Sequence, residues 1–597
     1  MSKKIPIDYT SRDFDSIKSD LVNYCKRYYP DTMTDFGEAS FGSMMLDSIA
    51  YVGDILSFYL DYQANESFLE TAVEYDNILK LGNQMGYKFT GRSGATGLSE
   101  VFLIVPANSL GLGPDTDYLP VLQAGSEFTS DSAVTFTTIN DVRFDHSENE
   151  VIAARVDDST GIPTHYAVKA VAEVISGNMV TENIKIGDYE KFKKIKLSNS
   201  NITEIISVFD AEGHEYFEVD YLSQNVIYKD VANRGSDGTT VPSILRPHIA
   251  PRRFSVENLR NNTFIQFGYG SDSELTSSSV AEPSELVMSL HGKKYVSDET
   301  FDPSKLLKTD KFGVAPANTS LTIKYRVNTN SNVNIPSAAL KNVSSAKISF
   351  NDPSQVTSAK TKEVISSLEI SNSSPIVGDV TLPDATELKT RMNDFFATQN
   401  RAVTGLDMES MAHAMPSKYG SIKRCKVVKD SDSFKRNLNL YVLAQGSDNK
   451  LSSATSTLKQ NLKVWLGRSK MINDTIDIMD GKIVNIGIEF TIQVDPSVNK
   501  YEALSSAITE VQKKFVEPLY MGEPLYLTDI YSTLNRNVAG VIDTKSVKVV
   551  AKTGTGYSNV SFDLDGALSV DARYLDVPHN VALEIKYPSA DIKGTVE

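Results

Sequence analysis

The sequence predicts an α+β protein of several domains, in which a helical segment, a β-rich region and mixed modules follow one another. The chain has 597 residues, which is more than one hydrophobic core usually serves. Apolar residues recur at helical spacing over the first ninety residues, whereas short alternating runs dominate the next three hundred. Helical and strand patterns then alternate to the end. We therefore expect domain boundaries that give residues 1–90, 91–375, 376–470 and 471–597.

The first ninety residues predict a bundle of helices. A first helix is indicated by apolar residues at spacings of three and four, and it should stop at Pro30. The stretch SFGSMMLDSIAYVGDILSFYLDYQ predicts a second and longer helix. A third helix is expected from about Glu66 to Met85.

The second helix is the strongest candidate for an interface. Nearly every residue from Met44 to Tyr62 is apolar or small, so the helix has to be covered on several sides. Its aspartates, Asp47, Asp54 and Asp61, fall seven apart on one stripe, which we expect to face solvent or a partner. Seven residues advance a helix by roughly 10 Å, too far for these carboxylates to share one ion. The candidate interface residues are Met45, Ile49, Val52, Leu56, Tyr59 and Leu60.

The middle of the chain predicts one or two β modules. The glycine-rich stretch GRSGATG forms a joint after the helices, and short alternating runs such as EVFLIVP, HYAVKAVAEVIS and LTIKYRV read as strands. The segment SDSELTSSS has few apolar residues and is expected to be an exposed loop.

The last third alternates between helices and strands. A helix at about residues 387–398 is followed by NRAVTGLDMESMAHAM and by the strands SIKRCKVV and LNLYVLA. A helix is then expected at about residues 451–466, a long strand in IVNIGIEFTIQV, and further helices in EALSSAITEVQKKFV and PLYLTDIYSTLN.

The acids within NRAVTGLDMESMAHAM are explained by the start of a helix. Thr404 is placed as the N-cap, and Asp407, three residues later, completes a capping box with aspartate in the usual place of glutamate. Pro416 ends the helix. His413 is expected to be a half-exposed helix residue with no nucleophile nearby in sequence.

A group of basic residues lies on the strand that follows this helix. If one face of the strand is buried, we expect their charges to point outward, toward solvent or an acidic partner. Nucleic acid is the less favoured partner, because 60 Lys and Arg face 76 Asp and Glu, a formal charge of −16. The residues concerned are Lys418, Lys423, Arg424, Lys426 and Lys429.

The motifs of several enzyme classes are not found in the sequence. It contains no P-loop, no GxSxG elbow and no HExxH zinc motif. Cys25 and Cys425 lie four hundred residues apart, and the seven histidines show no metal-ligand spacing. We therefore expect no cofactor, no metal site and no catalytic residue. A secretory signal and a membrane-spanning run are also not apparent.

Several stretches resemble one family. RAVTGLD, followed by a short helix, a glycine and a basic strand, is similar to a motif of the baseplate J-like proteins of contractile tails. The helical FGSMMLDSIAYVGDILSFYLDYQANESFLETA and the β segment VLQAGSEFTSDSAVTFTTINDVRF add to the likeness. So do KLLKTDKFGVAPANTSLTIKYRV and MGEPLYLTDIYSTLNRNVAGV. The length of the helical region and the β insert most resemble baseplate wedge proteins of T-even-like phages. Residues 177–250 and the last forty match no part of the family.

The resemblance implies a structural role in the virion. Such proteins form the inner, iris-like ring of the tail baseplate and switch contacts when the sheath contracts. Two copies in a wedge pair with a different wedge protein through a helical bundle. The expected partners are therefore a second copy of this chain and other wedge proteins, with residues 471–597 as the ring or dimerisation module. Neither a membrane nor nucleic acid is implied, and synthesis is expected in the host cytoplasm.

Two other functions remain open from the residues. A tail enzyme that degrades wall or capsule glycans needs only two carboxylates, which the β region could bring together in a cleft. A receptor-binding adhesin would suit the β content, although adhesins often carry repeats or a trimeric stalk that this sequence does not show.

Overall fold

The predicted α+β architecture is confirmed by the order of helices and strands. The chain folds into two compact units. Unit 1 comprises Met1–Phe89 and Pro383–Ala397, and unit 2 comprises Thr90–Leu382 and Thr398–Glu597. The division into four domains remains a prediction. The SDSELTSSS loop lies outside the described residues after its first serine. The computed structural model describes residues 13–31, 35–37, 40–108, 111–232, 243–271, 312–351, 356–430 and 437–597.

The longer helices lie mainly at the two ends of the chain. Two of the first three agree closely with the sequence pattern, whereas α3 begins nine residues later than expected. The longer helices are α1 (Phe14–Tyr28), α2 (Phe41–Asn65), α3 (Tyr75–Gln84), α4 (Ser358–Ser366), α5 (Ala385–Thr398), α6 (Gly405–His413), α7 (Ser456–Gly467), α8 (Lys500–Lys514) and α9 (Leu527–Asn537).

Unit 1 joins its N-terminal helices to α5, which is distant in sequence. Leu388 and Met392 of α5 are fully buried, as is Ile78 of α3. At Gly82 a Cβ atom would lie 2.5 Å from the Met392 sulfur, so the absent side chain lets the methionine approach the α3 backbone. The ring of Phe395 packs edge-on at 5.5 Å from the ring of Tyr87. The core of this unit therefore depends on residues more than three hundred positions apart.

Unit 2 begins with two seven-stranded sheets. The first has the order β17-β3-β4-β7-β1-β19, with β6 also paired to β7, and the second has the order β8-β16-β10-β11-β14-β15-β9. Strands β12 and β13 form a separate hairpin. The central strands alternate buried and exposed residues, as strands packed on one face do. The bounds are β1 (Thr96–Pro106), β2 (Pro120–Leu122), β3 (Glu127–Ser130), β4 (Thr135–Thr138), β5 (Val142–Arg143), β6 (Glu150–Val156), β7 (Pro163–Ser176), β8 (Asn178–Lys185), β9 (Lys194–Lys196), β10 (Ile202–Phe209), β11 (Glu215–Glu218), β12 (Val226–Ala232), β13 (Ser243–Ile249), β14 (Arg253–Asn258), β15 (Thr263–Phe267), β16 (Ser320–Val327), β17 (Leu340–Ser345), β18 (Ile348–Phe350) and β19 (Glu369–Ser371).

The C-terminal part of unit 2 contains two mixed sheets. In the first, β20 and β22 flank β21, which also pairs in parallel with β23. In the second, β26 pairs with β24, which runs parallel to both β28 and β29. The bounds are β20 (Arg424–Lys429), β21 (Asn437–Gln445), β22 (Leu451–Ser452), β23 (Thr475–Asp480), β24 (Lys482–Val494), β25 (Leu525–Tyr526), β26 (Val541–Ala551), β27 (Tyr574–Leu575), β28 (Val581–Glu584) and β29 (Ile592–Val596).

One helix of this part begins later than the sequence pattern predicts. Leu451 and Ser452 form the short strand β22, and α7 starts only at Ser456. The Thr455 side chain accepts a hydrogen bond from the Leu458 amide and so caps the helix. Apolar spacing alone therefore placed the boundary one turn too early.

Candidate interface on helix α2

Helix α2 begins at a hydroxyl cap and runs for 25 residues. The Ser40 side chain accepts a hydrogen bond from the Ser43 amide at 3.1 Å, which satisfies one of the amides that a first helical turn leaves free. No proline interrupts the helix before it ends at Asn65.

One narrow face of α2 is covered by α1. Ser43, Leu46 and Ala50 are buried and lie three and four residues apart, on one side of the helix. Gly53 continues this face, where a Cβ atom would lie 3.4 Å from the Ile17 side chain of α1. Small residues on this face thus let the two helices approach closely.

The aspartate stripe does not face only solvent or a partner chain. The Lys18 ammonium of α1 lies 2.7 Å from Asp47, whose side chain remains 36% exposed, so this residue faces both solvent and the neighbouring helix. Helical spacing places Asp54 and Asp61 on the same side, next to the small-residue face. The polar stripe therefore borders the contact with α1.

Another side of α2 is apolar and exposed. The candidate interface residues are between 48% and 71% exposed, as measured on the chain by itself. Five of them follow spacings of four and three, which is the repeat that packs one helix against another in a coiled coil. They are Met45, Ile49, Val52, Leu56, Tyr59 and, beside them, Leu60.

A second apolar stripe runs along the adjoining side of α2. Met44, Tyr51 and Phe58 lie seven residues apart, and each is more than half exposed. The Phe58 ring stacks on the Tyr62 ring one turn later, with centroids 6.3 Å apart. Because α1 buries none of its own residues completely, the two helices do not form a closed core. Burial of a large apolar side chain stabilises by roughly 1.5–3 kcal/mol, so the exposed stripes favour further association.

The turn from α2 to α3 is organised by a buried carboxylate. Glu66 accepts hydrogen bonds from the Val73 amide at 2.7 Å, from the Asn77 side chain at 3.1 Å and from the Glu74 amide. Burial acts to raise the pKa of Glu66, but the three hydrogen bonds and the positive charge of Lys389 together outweigh it and lower the pKa. These bonds also explain why α3 starts late, since residues 66–72 turn to bring its first amides onto the carboxylate. The sequence pattern did not reveal this role.

The structure has a capping box at the start of α6. The Thr404 hydroxyl accepts from the Asp407 amide at 3.1 Å, and the Asp407 carboxylate accepts from the Thr404 amide at 2.8 Å. Both residues lie in unit 2 and are distant in sequence from α2. They cap the first turn of α6. The His413 imidazole lies 3.5 Å from the Cys425 sulfur.

Two residues of the basic group around β20, Lys423 and Arg424, do not point outward as predicted, whereas Lys418 and Lys429 are exposed. Lys423 and Arg424 are buried, because their donors meet acceptors from the next module. The Lys423 ammonium lies 2.7 Å from the Glu517 carboxylate, and the Arg424 guanidinium donates to the Pro518 carbonyl. Lys426 pairs with Glu409 of α6. These side chains join parts of unit 2 to one another.

The three N-terminal helices coincide with a known domain. Residues 13–84 match the family model described as "Bacteriophage baseplate protein, N-terminal domain". This part of the chain is similar to a baseplate N-terminal domain. The match covers α1, α2 and α3, and so includes every candidate interface residue of α2. The match supports the interpretation of this chain as a baseplate protein.

Two solved structures of baseplates are also similar to this chain at low identity. One, from the 6-fold symmetrised baseplate of the anti-feeding prophage, shares 9% identity over 95% of this chain and 90% of that chain, with a TM-score of 0.24. Another, from the type VI secretion system TssK-TssF-TssG baseplate subcomplex, shares 8% identity over 73% of this chain and 95% of that chain, also with a TM-score of 0.24. No curated protein matches the sequence.

The described part of the chain shows neither a metal cluster nor a membrane-spanning helix. Within those residues, no three or more His, Cys, Asp or Glu side chains gather where they could hold a metal ion. Within the same ranges, none of the helices has both the length and the hydropathy needed to cross a membrane.

Proposed function

We propose that this chain is a non-enzymatic structural subunit of the baseplate wedge in a contractile phage tail. The observation that carries the proposal is the match of residues 13–84 to a baseplate N-terminal domain, in the segment where α2 exposes its apolar stripes. In this proposal the protein sits in the virion baseplate, forms the inner ring by self-association, and takes part in the switch that triggers sheath contraction.

We infer the partners of this chain from the side chains on the three sides of α2. One side carries small residues and meets α1, whereas two sides carry large apolar residues at helix-packing spacing. We propose that a second copy of this chain and a different wedge protein each supply helices that cover these two sides. Such a bundle would bury Met45, Ile49, Val52, Leu56 and Tyr59 together.

Two cavities lined by described residues of unit 2 give little support to a glycan-degrading enzyme. Glu517 and Glu584 line one cavity, but its volume is about 20 Å³, room for about one water molecule and too small for a sugar ring. Both carboxylates are engaged, Glu517 by Lys423 and Glu584 by the Leu451 amide. A cavity of about 210 Å³ beside α7 is lined by a single acid, Asp477, whereas glycosidases use two.

The test of the proposal is a charge placed in the middle of the apolar stripe. Leu56→Asp should prevent association, because burying an unpaired carboxylate among apolar side chains is strongly unfavourable. The wild-type protein expressed alone should self-associate in sedimentation experiments, and protease should remove its N-terminal helices first. Coexpression with the other baseplate proteins of the same phage should protect those helices in the wild type only.

The matched control is Leu112→Asp, which introduces the same charge at an exposed leucine outside α2. It should associate like the wild type, and circular dichroism should show unit 2 folded in both variants. A wild-type protein that stays monomeric with protease-resistant N-terminal helices would contradict the proposal, as would complex formation by Leu56→Asp at wild-type strength.

A further inference from the structure

A buried aspartate lies where segments of unit 2 meet. Asp379 is 2% exposed and comes shortly before Leu382, the last residue of unit 2 before the chain enters unit 1. Its Oδ2 atom accepts hydrogen bonds from Arg92 at 2.6 Å and from the Val333 amide at 3.2 Å. Its Oδ1 atom is buried and accepts no hydrogen bond from the residues that the structure describes. A buried charge that is only partly satisfied is unfavourable.

Arg92 connects this aspartate to a neighbouring loop. Its guanidinium donates to the Asn330 carbonyl at 3.0 Å and to the Ser331 carbonyl at 2.5 Å, in addition to Asp379. Arg92 lies just after the chain enters unit 2 at Thr90. The hydrogen bonds of Arg92 therefore connect the entering segment, the exiting segment and the 330–334 loop within unit 2.

Two asparagines of the same loop extend the network to the turn between β21 and β22. The Asn334 amide group donates to the carbonyls of Asp379 and Gln445 at 2.8 and 2.9 Å, and its oxygen accepts from the Asp379 amide. Asn332 donates to the Gly446 carbonyl at 3.0 Å. The joint, defined as residues 92, 330–334, 376–382 and 445–449, thus connects the β-rich part of unit 2 to its C-terminal part.

The charge of Asp379 opposes closure of this joint. Burial raises the pKa of Asp379 to about 6, although Arg92 and the backbone amides of Val333 and Val380 act to lower it. Arg92 is the charged group that faces the carboxylate, whereas Lys423, which precedes β20, donates to the Thr381 hydroxyl of the exiting segment. If the joint opens and water reaches the carboxylate, its pKa returns toward the ordinary value of 3.8. The closed form therefore binds the proton more tightly, so acid favours closure and a pH above about 6 favours opening.

We propose that the Arg92–Asp379 joint is a proton-dependent latch, which holds the β-rich part against the C-terminal turn when Asp379 is neutral and loosens when it is charged. The latch is a property of unit 2 and does not depend on the function proposed for α2. It would make the contact between the two parts of this unit adjustable by the pH of the surroundings.

Hydrogen–deuterium exchange on the full-length protein tests the latch. The readout is the protection factor of the amides in 330–334 and 376–382. Because this factor divides the intrinsic exchange rate by the observed rate, the intrinsic pH dependence of exchange cancels. Between pH 5 and pH 8 the fraction of open joint should rise on the order of tenfold, as follows from a closed-form pKa of about 6 and an open-form value of 3.8. A constant protection factor in the wild type would overturn the proposal without the need for any variant.

Two variants make the assignment to Asp379 specific. Asp379→Asn keeps a side-chain acceptor but cannot be charged, so protection should become independent of pH. Glu584→Gln removes another buried acid of unit 2, one that bonds the Leu451 amide and not the 330–334 loop, and should leave the tenfold change intact. The same pH profile in Asp379→Asn as in the wild type would refute the latch.

Discussion

The hydroxyl of Thr404 stabilises α6 through a single local contact. Thr404→Ala removes the acceptor for the Asp407 amide, and we expect a loss of about 1 kcal/mol, as is usual for a deleted N-cap. Exchange protection of the α6 amides in the full-length protein measures this loss. Thr404→Ser retains the hydroxyl and should leave protection nearly unchanged. Equal protection in the alanine variant and the wild type would show that the cap is not needed.

Glu66 should make the start of α3 sensitive to acid. Since the folded-state pKa is lowered, the carboxylate stabilises the fold above its unfolded pKa, and this contribution disappears as the pH falls through the folded value. We expect exchange protection of the Val73 and Glu74 amides to be lost on acidification below the ordinary glutamate pKa of 4.5. Glu66→Gln should show reduced protection already at neutral pH. A variant as well protected as the wild type at pH 7 would contradict the role of the charge.

Removing Glu517 from its ion pair with the buried Lys423 should destabilise the fold more than removing the Lys423 charge. Glu517→Gln leaves the ammonium buried without the carboxylate that lies 2.7 Å away in the wild type, and we expect a loss of about 1–3 kcal/mol. Lys423→Met removes the charge and keeps the apolar stem, while the half-exposed Glu517 can be hydrated. The methionine variant should therefore lose less stability in thermal unfolding. The opposite order would show that the ion pair itself dominates.

At the scale of elements, α5 should be necessary for the order of α3. Met392→Ala removes a fully buried side chain, and such truncations lose about 2–5 kcal/mol. We expect exchange protection of α3 to fall, because Met392 packs against Gly82. Phe396→Ala, on the exposed side of the same helix, is the matched control and should leave α3 protected. Unchanged protection in Met392→Ala would mean that α3 is held by other contacts.

Elements with strong periodicity could be predicted from the sequence, and elements fixed by distant contacts could not. The apolar spacing of α2 predicted its extent to within two residues at either end, and it singled out the residues that the structure leaves exposed. The start of α3 was missed because it depends on one carboxylate, Glu66, that reaches across a turn. The outward direction expected for Lys423 and Arg424 was wrong, since the acceptors at Glu517 and Pro518 lie some ninety residues later.

At the scale of the whole molecule, the sequence pattern distinguished residues 1–90 from the remainder of the chain. It did not indicate that α5 folds together with residues 1–90. Periodicity describes which side of a helix is apolar and carries no information about which distant segment covers it. The Tyr75 hydroxyl bonds to the Pro383 carbonyl, 308 residues away. Periodicity could not predict this contact between distant segments. The exposed stripes of α2 were predictable because no segment of the described chain covers them.

The discontinuity of unit 1 has a consequence for the time course of synthesis. The hydrogen bond from Tyr75 to the Pro383 carbonyl can form only after another 308 residues have been added. At the usual elongation rates of roughly 5–20 residues per second, this takes roughly 15–60 s. During that interval the nascent chain presents both the α3 surface that awaits α5 and the apolar stripes of α2. The ribosome-bound protein should therefore be a strong client of chaperones that shield apolar segments.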